Sequence, residues 1–344
     1  MLECKSLQDV ILKFHDERVC EQYLEQLRWN GKPVCPHCGC EKIYRIKSPK
    51  QPYKCGNKEC LKKFSVKIGL IFEASNIPLT KWFIAIYLNS AHKKGISSLQ
   101  LGKDIDVTQK TAWFMLMRIR ELMRVKEEVK LNNVVEVDET YVGGKMRNKH
   151  KHIRAQFKKE GGYFSGNAGN KTGVLGLIQR DKKCVTLKII DSTKQTLKEM
   201  VADSVENSAT IITDSLNAYR GLAKTFADHQ VIHHDKNMFV DGDIYTNTVE
   251  GFFSLLKRSI FGIYHQCSHK HLARYCDETA YRYNHRGIKD GERFTLSLQN
   301  AAGRLTWDNL TAKPEPKSNS PKWLIEFEKN RAEWMEANKN RKGR

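Results

Sequence analysis

The sequence predicts an α/β fold preceded by smaller modules, on three observations. From residue 133 onward, short β-branched runs are bounded by Gly, Asp or Lys. Helical patterns at 247–262 and 269–285 close that region. Ahead of it stand a stretch punctuated by Cys, Gly and Pro (31–64) and a helical one (78–125). A chain of 344 residues can bury a sizeable core, and by length it holds about two domains or slightly more.

In chain order, apolar residues at helical spacing (Leu7, Val10, Ile11, Phe14, then Cys20, Tyr23, Leu24, Leu27) predict two short helices over 7–29. The β-prone pieces KIYRI and PYKC follow among the cysteines. Pro78 suits the first turn of a helix whose apolar face is LTKWFIAIYL. Gly95 and Ser97-Ser98 break that pattern. Ser97 then caps a short helix around 98–104, and Thr108 caps a third, TAWFMLMRIRELMR. These three helices resemble a helix-turn-helix whose last helix is led by Gln109 and Lys110; a plain bundle joining two domains fits the same pattern. The strand region reads NVVEVDETYVGG, GVLGLIQR and CVTLKIID. A helix over 195–206, the buried-strand pattern ATIITD at 209–214 and a short strand within HQVIHH at 229–234 come next. TAKPEPKSNSP at 311–321 has the composition of a linker, and the tail beyond it ends in the basic run NKNRKGR.

Lys and Arg number 59 against 39 Asp and Glu, a formal charge of +20. Such a field favours a polyanionic partner, of which nucleic acid is the commonest; a ribosome-associated or simply basic protein is the alternative that charge leaves open. Seven of the cations fall between Lys145 and Lys159, with His150 and His152 among them and Gly-rich sequence after. That interval reads as a surface loop. Lys145, Arg147, Lys149 and Lys151 are its candidates for phosphate contact, against the alternative of a solvated charge run. No stretch of about 18 apolar residues is present, so a membrane-spanning helix is not expected. The charged N-terminal stretch lacks the apolar core of a signal peptide, and a cytoplasmic location is expected.

In a reducing compartment ten cysteines are expected to stay unpaired, and clustered ones to bind metal. Cys35-x2-Cys38 and Cys55-x4-Cys60, sixteen residues apart, form two such pairs. Two tight turns each presenting a thiolate pair meet the tetrahedral geometry of zinc, and four cysteines leave no position open for water, so the ion is expected to be structural. Cys40 competes with Cys38 for the role, though Cys-Pro-x-Cys-Gly is the better turn.

Three acids complete the set of candidates. Asp138 ends the run Val134-Val135-Glu136-Val137, in which 136 and 138 share one face while Val135 and Val137 enter the core. Asp214 ends Ile211-Ile212-Thr213 in the same manner. Glu250 lies on a helical pattern beside the apolar stripe Val249, Phe253, Leu256 and Ile260, with Lys257 two turns further along. Two carboxylates from adjacent strands and a third from a helix can hold two divalent cations about 4 Å apart for in-line displacement at phosphorus. Magnesium or manganese fits such a set, because hard ions prefer oxygen.

The order and spacing of these residues resemble the DDE transposases of bacterial insertion sequences, in the group that carries an N-terminal zinc ribbon. The matching pieces are Cys35-Pro36-His37-Cys38-Gly39 with Cys55 and Cys60, then Phe64-Ser65-Val66; Val137-Asp138-Glu139-Thr140-Tyr141-Val142-Gly143-Gly144-Lys145; Thr213-Asp214; and Asn247 through Arg258. Thirty-five residues separate Asp214 from Glu250, the usual interval in such enzymes, and Lys257 falls where a basic partner of the third acid is expected. The likeness runs over roughly residues 15–290, VDETYVGGK being its most specific block.

The resemblance implies an RNase H-like catalytic domain and binding of double-stranded DNA at terminal inverted repeats. It also implies cleavage to a 3′-hydroxyl, joining of that end to target DNA, and a homo-oligomer, a dimer or larger, on paired ends. Some relatives carry Asn as the third residue, so Asn247, one turn before Glu250, is a possible auxiliary. His233 and His234 precede the expected catalytic helix and are candidates for contact with DNA or the scissile phosphate, with surface histidines the equal alternative; Arg258 and Lys257 are candidates for DNA contact. The expected divisions are N-terminal helices (1–30), zinc ribbon (31–75), helix-turn-helix-like segment (76–130), catalytic domain (131–300, with a basic insertion at 145–172), and linker with basic tail (301–344). A resolvase-type nuclease of the same fold, or a DNA-binding regulator derived from a transposase, are the competing functions.

Overall fold

A computed structural model describes residues 4–124, 130–144, 148, 150–159, 171–182, 184–190, 196–233 and 240–312. Lys145, Arg147, Lys149, His234 and the tail beyond residue 312 lie outside the described residues.

The chain opens with α1 (Leu7–Lys13) and α2 (Glu17–Trp29), followed by an antiparallel ribbon of β1 (Ile43–Arg45), β2 (Tyr53–Cys55) and β3 (Lys63–Phe64). Helices α3 (Leu79–Ala91), α4 (Ser98–Asp104) and α5 (Gln109–Met123) come next. The two sequence-predicted caps form. Ser97 Oγ accepts from Gln100 N at 3.1 Å and Thr108 Oγ1 from Thr111 N at 3.3 Å, each meeting an amide that the helix leaves unpaired. Pro78 is the cap residue itself, one position ahead of the helical turn it was expected to open.

The second half runs β4 (Val134–Val142), α6 (Lys151–Lys159), β5 (Thr172–Gln179), β6 (Cys184–Ile189), α7 (Leu197–Ser204), β7 (Thr210–Thr213) and β8 (Asp228–Val231). Then α8 (Asn247–Ser259) passes into a π-helical turn (Ile260–Tyr264), followed by α9 (His269–Asn284), α10 (Asp290–Gln299) and α11 (Trp307–Thr311). Part of the basic interval expected as a loop is therefore helical, with Lys151, Lys158 and Lys159 exposed on α6.

Strand order is β6-β5-β4-β7-β8. β4 pairs antiparallel with β5 and parallel with β7, which pairs parallel with β8. This mixed sheet flanked by helices is RNase H-like, with β4 at its centre. Period-two alternation divides the strand side chains between two cores. Val135, Val137, Leu175 and Leu177 face α7 and residues 219–226, whereas Val174 and Ile178 meet Val249, Phe253 and Leu256 of α8 and Cys276 of α9. All eight residues of β5 are buried, as expected of a strand covered on both faces.

A third core joins distant parts of the chain. Phe14 at the C-cap of α1, Phe83 of α3 and Phe294 of α10 stack edge to face, Phe83 lying 4.8 Å from Phe14 and 5.8 Å from Phe294 between centroids. The segment after α9 thus returns to the N-terminal helical body. Residues 301–312 dock there too, with Leu305 and Leu310 buried and Ala301 O accepting from Ile71 N. No helix among the described residues is long and apolar enough to cross a membrane.

Candidate active site

The central strand delivers Asp138 on the face turned toward α8. Its register partner on β5 is Gly176, where a β-carbon would meet the Phe253 ring at 2.7 Å. The missing side chain at 176 is what lets α8 lie this close to the sheet beside Asp138. Asp138 Oδ1 accepts from Glu139 N at 2.8 Å. Burial pushes its carboxyl up to about 7, and the charges of Glu139, Asp214 and Glu250 push the same way against that one hydrogen bond.

Asp214 follows β7 directly, beside β4. Its Oδ1 accepts from Leu216 N at 3.0 Å, an Asx turn that fixes the side chain at the strand end. Behind it, buried Thr213 hydrogen-bonds His229 Nε2 on β8 at 3.0 Å. Glu250 is exposed on the first turn of α8, where the helix dipole favours a carboxylate, and its Oε1 accepts from Thr246 Oγ1 at 3.2 Å. Asn247 opens that turn, also exposed.

Asp138, Glu139 and Glu250 line a cleft of about 900 Å³ together with Lys94, Lys257 and Arg258. Asp214 is not part of that lining and reaches Asp138 through its charge. Glu139 also borders the cleft, and its Oε2 accepts from the hydroxyl of buried Tyr219 at 2.5 Å. Arg258 is tied back to Ser254 O and Oγ at 3.2 and 2.9 Å. Sequence reading missed Lys94. It stands on the loop between α3 and α4, beside Gly95 in the left-handed region (φ 88°), and only tertiary folding lays it over acids from residues 138 and 250.

The start of α5 is engaged within the molecule. Gln109 Nε2 donates to Ser98 Oγ at 2.9 Å, and the Lys110 ammonium lies 4.9 Å from the centroid of the Trp307 ring. His233 is half-buried at the end of β8.

In the ribbon, Cys35, Cys38, Cys55 and Cys60 place their sulfurs within 4.8 Å of one another; among the described residues no trio of carboxylates is drawn that tight. Cys35 and Cys60 sulfurs are 3.9 Å apart, Cys38 and Cys55 3.6 Å. The backbone amide of Cys40 favours the Cys38 thiolate, lowering its pKa to about 7, while the Cys40 thiol turns away to Lys42 O. Trp29, Tyr53 and Phe64 pack beneath, with centroids 5.6–6.0 Å apart. Four soft ligands with no place for a fifth fit a structural zinc.

A sheet of this order, with acids on its central strand, just past the adjacent parallel strand and on the helix packed across them, places the chain in the RNase H-like class. Residues 130–284 match the ISXO2-like transposase domain, and residues 15–63 match the transposase zinc-ribbon domain. An uncharacterised protein in the transposable element ISH50 of Halobacterium salinarum is 31% identical over 261 residues, covering 72% of this chain and 84% of that protein. The chain belongs to the ISXO2-like transposase family.

Proposed function

We propose that this transposase works by metal-dependent phosphoryl transfer on DNA, with Asp138, Asp214 and Glu250 as its carboxylate triad. The observation that supports it most is the cleft lined by both Asp138 and Glu250, 112 residues apart in the chain, with Asp214 directly after the strand that pairs in parallel with that of Asp138. The donor set is all oxygen, and the mutual repulsion at Asp138 is of the kind a hard cation relieves, so Mg²⁺ or Mn²⁺ fits. Asp138, Asp214 and Glu250 would hold a pair of such ions. When bound, such a pair activates the attacking oxygen and stabilises the leaving one. Lys94, Lys257 and Arg258 at the rim offset phosphate charge, and Asn247 assists Glu250.

The remaining surfaces hold double-stranded DNA. The zinc ribbon, Gln109 and Lys110 of α5, and the basic interval (Lys145, Arg147, Lys149 and Lys151) contact transposon ends, with His233 and His234 near the scissile phosphate. The protein cleaves terminal repeats to a 3′-hydroxyl, joins that end to target DNA, and acts as a homo-oligomer in the cytoplasm.

A labelled terminal-repeat duplex incubated with protein and Mn²⁺ should yield a 3′-hydroxyl end and a joined product. Asp138→Asn, Asp214→Asn and Glu250→Gln should each abolish both steps while retaining end binding. Full cleavage by any of the three removes that residue from the triad.

A further inference from the structure

We infer that Glu136 is a positioning residue for the active site: with Arg180 it clamps the start of α8 to the central strand and so sets the distance between Asp138 and Glu250. The inference rests on the triad reading above.

Glu136 has no exposed surface, yet it is an acid in the middle of the central strand. Its carboxylate accepts four hydrogen bonds. Three come from the first turn of α8: Thr248 N at 3.0 Å, Thr248 Oγ1 at 2.8 Å and Val249 N at 3.1 Å. The fourth is Arg180 Nε at 2.7 Å. The rest of the Arg180 guanidinium donates to Asp243 O at 2.6 Å and Tyr245 O at 2.7 Å, and lies 3.6 Å from the centroid of the Tyr245 ring. Arg180 is itself fixed to the sheet through its backbone amide on Val134 O.

α8 has no cap of its own, since Thr246 makes no side-chain capping bond. Glu136 takes that role from 112 residues away, as an anion where the helix dipole is positive. The geometry bears directly on the acids. Glu136 and Asp138 project from the same face of β4, two residues and about 7 Å apart. The amides gripped by Glu136 belong to residues 248 and 249, immediately before Glu250. One carboxylate therefore joins the strand that carries the first acid to the helical turn that carries the third. Freed from it, that turn frays and Glu250 samples positions away from Asp138.

Direct Mn²⁺ binding tests this without relying on catalysis. The zinc-loaded full chain is titrated with Mn²⁺, free ion being read by electron paramagnetic resonance, for the native protein, Glu136→Gln, Thr248→Val and Glu250→Gln. Groups that orient metal ligands typically change affinity by about 10-fold or more, so Glu136→Gln should raise the Mn²⁺ dissociation constant by about that factor. Thr248→Val, which deletes one donor and keeps the side-chain shape, should raise it by a smaller factor, and it carries the test should Glu136→Gln not fold. Saturating Mn²⁺ should restore cleavage to both and not to Glu250→Gln. A purely structural role predicts native affinity with fewer competent molecules, and that result, or native affinity in both variants, overturns the inference. If Glu250→Gln also binds Mn²⁺ as the native chain does, the triad reading fails first and this one with it.

Discussion

Asp138 should make the metal-free protein less stable as pH rises. Its carboxyl sits near 7 in the fold against an ordinary value of 3.8, burial being the largest cause. Between those values the folded state holds a proton that the unfolded state has released, so unfolding free energy falls with pH by about 1.4 kcal/mol per unit. The stabilisation of the protonated form is complete below 3.8 and lost as pH passes through about 7. From pH 5.5 to 7 that amounts to about 2 kcal/mol, and no more is lost from this group above it. Asp138→Asn removes the titration. Urea unfolding of zinc-loaded protein without Mg²⁺ or Mn²⁺, at pH 5.5 and pH 8, should show the native chain losing about 2 kcal/mol more than the variant. Added Mn²⁺ should cancel the loss in the native chain alone. Equal pH dependence in the two proteins would refute the placement of Asp138 among like charges in a desolvated site.

Three further outcomes follow from the packing. Gly176→Ala puts a methyl group 2.7 Å from the Phe253 ring, so α8 must move off the sheet; cleavage should fall at least tenfold with end binding kept, and Phe253→Leu in the same chain should restore part of it. Cys55→Ser should lower zinc from one ion per chain to none and weaken end binding, both readable by metal analysis and gel shift; retained zinc would place the ligand set elsewhere. Glu278→Gln strips the partner from Arg120 (2.7 Å) and Arg282 (2.6 Å), which hold the acid down to about 2 against complete burial. It should cost about 3–5 kcal/mol in chemical denaturation, and a loss under about 1 kcal/mol would show the network to be dispensable. Because Tyr264 of the π-helical turn also donates to Glu278, the same variant should loosen the link between α5 and the end of α8.

Much of the site was legible because its signals are local. The Val-Glu-Val-Asp alternation gives the face of Asp138, the two cysteine spacings give the ribbon, and Ser97 and Thr108 mark helix starts that the fold confirms. Each of these signals reaches no further than a few residues or one turn. The reading of Glu136 stopped at its face of the strand, since nothing near it in the chain says what a buried acid would meet there.

Pattern and spacing by themselves thus determined which residues can enter strands, helices and a thiolate cluster, because dihedral periodicity and turn geometry are properties of short segments. The tertiary structure decided that Asp138 and Glu250 share a cleft with Lys94, that α10 closes on the N-terminal helices, and that Glu136 caps a helix 112 residues away. Those are contacts between segments distant in sequence, set by which apolar faces pack together, and no local pattern encodes their geometry.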